Sequence, residues 1–71
     1  MTFHAVTSRN RLNNKVYAWI YRGEFEEIRD ILPPDMISSY IINAKNYPDA
    51  RKEARKMFNR NIVVANGIVN N

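Results

Sequence analysis

The chain has no cysteine, and only two glycines and one histidine among its 71 residues. Without cysteine there is neither a disulfide nor a thiolate metal ligand. Missing thiols also suit a reducing compartment, which makes the cytoplasm the expected location. Two isolated glycines, Gly23 and Gly67, exclude a glycine-rich phosphate loop. The single histidine, His4, has no cysteine or paired acid at ligand spacing, so neither a zinc site nor a histidine-based triad can be assembled around it. It reads as a satisfied or solvated side chain. No apolar run approaches the roughly eighteen residues that span a bilayer, and the start MTFHAVTSRNRL lacks the apolar segment of a signal peptide. Neither membrane insertion nor export is expected.

The carboxylates offer no better foothold for chemistry. Glu24, Glu26, Glu27 and Asp30 crowd one short segment, where they complement a helix dipole as a solvated face; an acid pair for catalysis needs burial in a cleft. No catalytic, cofactor-binding or metal-binding residue is assigned, and the chain is expected not to be an enzyme.

What the sequence does have is positive charge. Eleven Lys and Arg against seven Asp and Glu give +4 at neutral pH, a balance that favours acidic partners in a salt-sensitive way. Residues 1–71 are read as one small domain. With no covalent staple, a chain this short is expected to gain stability by self-association, so a homodimer is expected.

Along the chain, residues 1–8 alternate weakly and suggest an edge strand or a flexible lead-in. Leu12, Val16, Trp19 and Ile20 recur at helical spacing, while VYAWIY over Lys15–Tyr21 also carries the β-branched and aromatic bias of a strand. Helix is the favoured reading, with Trp19 facing the core, Tyr17 and Tyr21 on the flank as interface candidates, and Gly23 as a left-handed cap. Base stacking on these aromatics is the less favoured alternative. Glu24–Leu32 predicts a short helix burying Phe25, Ile28, Ile31 and Leu32, stopped by Pro33 and Pro34. Pro34–Asp35 then suits the start of a third helix presenting Ile37, Tyr40, Ile41 and Ala44.

Tyr47–Arg60, YPDARKEARKMFNR, is the sharpest feature. At 100° per residue, Arg51, Lys52, Arg55, Lys56 and Arg60 share a half-turn, and Ala50, Ala54, Met57 and Phe58 fill an adjoining arc. Phe58 and Met57 are expected to anchor the core against Ile37, Tyr40 and Ile41, with Asn46 as either the end of the preceding helix or the N-cap of this one. The helix over 35–45 followed by this basic helix is compatible with helix-turn-helix docking, though few side chains here read bases. Residues 62–71, IVVANGIVNN, place Asn66-Gly67 between two apolar arms, the signal of a short hairpin or extended tail. The expected architecture is mainly α: a compact bundle of three or four short helices, with 1–8 and 62–71 as extended or flexible ends.

Two stretches resemble the ANR family of small negative regulators of AraC-type transcription activators. One is Ala18 followed by Arg22-Gly23-Glu24-Phe25; the other is Glu53-Ala54-Arg55 with Phe58 and Arg60. The resemblance implies a helical, non-enzymatic protein that binds a transcription activator. From the residues and the resemblance together, the expected function is regulation by binding a transcription regulator through Arg51, Lys52, Arg55, Lys56, Arg60, Tyr17 and Tyr21. The alternatives are a small basic DNA-binding protein of helix-turn-helix type, or a phage or plasmid assembly component. Nucleic acid is thus the second candidate partner, and no cofactor is expected.

Overall fold

The computed structural model describes residues 1–70, and its centre is a strand that the sequence pattern places at the periphery. β1 (Thr2–Arg9) lies between β2 (Val16–Arg22) and β3 (Met36–Asn43), antiparallel to both. β4 (Ile62–Val69) joins the far side of β2 in parallel, giving the order β3-β1-β2-β4. A four-residue helix, α1 (Phe25–Ile28), runs into a 3-10 turn at Arg29–Ile31. The long helix, α2 (Tyr47–Met57), carries the chain from β3 to β4 across the sheet. The fold is therefore mixed α/β with one four-stranded sheet and two helices, which overturns the expectation of a mainly α bundle and the helical architecture that the ANR resemblance implies.

Each correction has a local cause. Leu12 to Ile20 is not a helix, because Asn10, Asn13 and Asn14 build a turn: Asn10 Oδ1 accepts from the Leu12 amide at 2.8 Å, Asn13 Oδ1 accepts from the Lys15 amide at 3.0 Å, and Asn14 sits at φ 60°. Asparagine favours this side-chain-to-backbone bonding and tolerates the left-handed region. The turn closes β1 on β2, leaves Leu12 exposed, and makes residues 16–22 the strand their β-branched and aromatic content also suits. The helix expected from Asp35 through Ala44 is instead β3: Ser38, Tyr40 and Ile42 register with Thr7, Ala5 and Phe3. A helix-turn-helix is thereby excluded, since its first helix is a strand. The hairpin expected at Asn66-Gly67 is a continuous strand with a bulge.

Strand alternation sorts the core onto the two sheet faces. Phe3, Ala5, Ile20 and Ile42 meet Ala50 and Ala54 of α2, ringed by Ala44, Tyr47, Phe58, Val64 and Ile68. Two alanines on the buried side of α2 let its backbone approach the sheet closely, so the volume is filled by strand side chains. Met57 is 46% exposed and is not the core anchor expected of it, whereas Phe58 stacks edge-on with Tyr40 at 5.6 Å. On the opposite face Val6, Tyr21 and Ile28 form a smaller cluster with Leu32 and Val69. Only Ile28 of α1 is buried; Phe25 and Ile31, expected in the core, are exposed. Trp19, also expected in the core, is 38% exposed on this uncovered part of the sheet. The one buried histidine is satisfied: His4 Nδ1 donates to the Gly23 carbonyl at 3.0 Å and holds the turn that ends β2.

Candidate functional site: a cationic helix flank and the groove beside it

α2 begins where Asn46, in extended conformation, accepts the Asp49 amide on its side chain at 2.9 Å, with Pro48 in the first turn and Asp49 near the positive end of the dipole. This fixes the helix rotation, and Ala50 and Ala54 then decide which side faces the sheet. Arg51 lies about 60° round the helix from Ala54, on the flank nearest β4. Lys52, Arg55 and Lys56 lie further round and are exposed; Arg60 is exposed just beyond the helix end.

Arg51 is committed to the fold. Its Nη2 donates to the Val64 carbonyl at 3.2 Å and its Nε to the Ala65 carbonyl at 3.3 Å. These carbonyls belong to the bulge in β4: between the pairs Ala18↔Val64 and Ile20↔Ile68, β2 advances two residues while β4 advances four. The surplus backbone loses ladder partners. Arg51 takes up two of its carbonyls, and the Tyr47 phenol oxygen accepts the Gly67 amide at 2.7 Å. Gly67 adopts φ +118°, a conformation that side chains disfavour. Two residues one helical turn apart thus hold the irregular part of β4.

The remaining cations surround open concavities. One of about 330 Å³ lies between the end of α2 and β4, lined by Arg51, Arg55, Asn59 and Arg60 together with the apolar Phe58, Ile62 and Val64. The second, about 410 Å³, continues over the outer surface of α2 between Pro48, Arg51, Lys52, Arg55 and Lys56. Lys56 makes an exposed ion pair with Glu53 at 3.4 Å, a contact worth little in water. Four of the five basic residues singled out from the sequence therefore present charge to solvent along one continuous flank. Asn59, Ile62 and Val64 were not among the expected site residues; only the placement of β4 beside α2 brings them there.

Tyr17 and Tyr21 do not join this site. Tyr21 is buried on the opposite sheet face, where burial raises its phenol above the ordinary value of 10.0. Tyr17 is half-buried on that same face, its oxygen accepting from Asn13 Nδ2 at 2.9 Å. Among the described residues, no three or more His, Cys, Asp or Glu side chains are grouped to hold a metal, and no helix is long and apolar enough to cross a membrane. Comparison with protein-family models, characterised proteins and solved structures yields no match.

Proposed function

We propose that this is a non-enzymatic binding domain that engages nucleic acid through backbone phosphates, using Lys52, Arg55, Lys56 and Arg60 along the α2 flank and the groove beside β4. The observation that carries the reading is the continuity of these cations around an open groove while Arg51 is held by β4. Cations of this kind position a nucleic acid without reading its sequence. Among the described residues lining these concavities, Asn59 alone carries an amide side chain, so recognition rests on charge and shape.

The test is fluorescence-anisotropy titration of a labelled duplex with wild type and with Arg55→Glu/Arg60→Glu. The reversed pair is expected to weaken binding at least tenfold at low salt while leaving the thermal transition within about 2 °C, because exposed substitutions away from the core change stability little. Equal binding by the variant would contradict the proposal. A second reading, a transcription-regulator protein with an acidic surface, is favoured by the uncovered apolar face at Trp19, Ile37 and Ile41. In that case the same flank would steer association, and duplex DNA would not compete with the regulator.

A further inference from the structure

We infer that the free edge of β3 is a self-association surface whose occupant is a second copy of this chain, paired antiparallel to make one continuous eight-stranded sheet. This inference does not rest on the nucleic-acid reading, since the cationic groove lies at the opposite edge, beside β4.

Edge strands left long, regular and uncharged invite pairing, and chains avoid it with charge, proline or bulges. β4 carries such a bulge, whereas β3, MISSYIIN, has neither a charge nor a proline over eight residues. Its irregularity is confined to its first residues, leaving Ser38–Asn43 in unbroken register with β1. The free backbone groups follow from one bond: the Ala44 amide donates to the Met1 carbonyl at 3.1 Å. Antiparallel ladders alternate, so Ile42, Tyr40 and Ser38 turn their amides and carbonyls to β1. Ser39 and Ile41 turn theirs outward. Ile41 is 62% exposed, and Tyr40 and Ile37 are also exposed along this edge.

What selects a second copy as occupant is complementarity of the strand with itself. Asp35 immediately precedes β3 and Lys45 follows its end. A two-fold axis at Tyr40 lays Ser39 of each chain against Ile41 of the other, which uses the outward backbone groups of both. The same axis turns the Asp35 end of each chain toward the Lys45 end of the other. Tyr40 then meets its own copy at a non-hydrogen-bonded position, where side chains approach most closely.

Amide hydrogen exchange at several protein concentrations, alongside sedimentation equilibrium, tests the inference. The mass is expected to rise from 8.4 kDa toward twice that value, with Ser39 and Ile41 amides gaining at least tenfold protection over the same range. Tyr40 and Ile42 amides should be protected throughout. Ser39→Pro, which removes only an outward amide, and Ile41→Lys should each return the monomer with an unchanged circular dichroism spectrum. A monomer at every concentration would overturn the inference; so would a dimer in which Ser39 and Ile41 still exchange freely, or one that both variants leave intact.

Discussion

Tyr21 shows how far a single side chain's role depends on which face of a strand it occupies. On a helix it would sit on the flank, open to a partner. On β2 it alternates away from Ile20 and is buried against Val6 and Ile28. The phenol is neutral when protonated, so burial disfavours its ionised form and raises its pKa in the folded state above 10.0. Between the unfolded and folded values the native chain keeps a proton that the unfolded chain has released. The contribution is fully present below about pH 10 and is lost as pH rises through the raised value. Thermal melts across the alkaline range should therefore show wild type losing stability more steeply than Tyr21→Phe; parallel losses would contradict the assignment. The single-residue signal that was legible is one with local chemistry: Asn46 as a cap, one of the two roles open to it. Gly23 does take positive φ, but it follows a strand rather than the helix it was expected to cap. Asn10, Asn13 and Asn14 carry an equally local signal, since asparagine suits a turn better than a helix interior.

At the level of elements, α2 was legible because its apolar and cationic arcs fit one period only and its cap precedes them. β2 and β3 were not, because Leu12–Ile20 and Ile37–Ala44 satisfy helical spacing and strand alternation alike. What decides between them is pairing with β1, a partner distant in sequence. The parallel pairing of β4 with β2 is still less visible, since it requires β3 and α2 to carry the chain between them. This pairing also divides the basic residues of α2 into two kinds. Arg51 supports the bulge, and Arg51→Ala should destabilise the fold by about 1–2 kcal/mol, from the loss of two charged hydrogen bonds in a part-buried place. For a domain of this size that is a fall of roughly 5–15 °C in Tm. Arg55→Ala, measured in the same calorimetric series, should move Tm by no more than about 2 °C. Equal effects would show that the clamp carries no weight.

At the scale of the whole molecule, the two proposed interaction surfaces lie at opposite edges of one sheet. The cationic flank and groove border β4, and the uncharged strand β3 closes the other side. The radius of gyration is 11.3 Å, close to the ~11 Å of a compact chain of this length, and the two edges are joined through β1 and β2. A dimer through β3 would leave both cationic grooves open, and would double the phosphate contacts available to one long duplex. The most direct test of the central claim is the salt dependence of binding to a short duplex that accommodates one protein chain. With Lys52, Arg55, Lys56 and Arg60 on phosphates and Arg51 held by β4, the account predicts that log K falls against log salt with a slope of about −3 to −4. A slope near zero, or one unchanged by Arg55→Glu/Arg60→Glu, would contradict it.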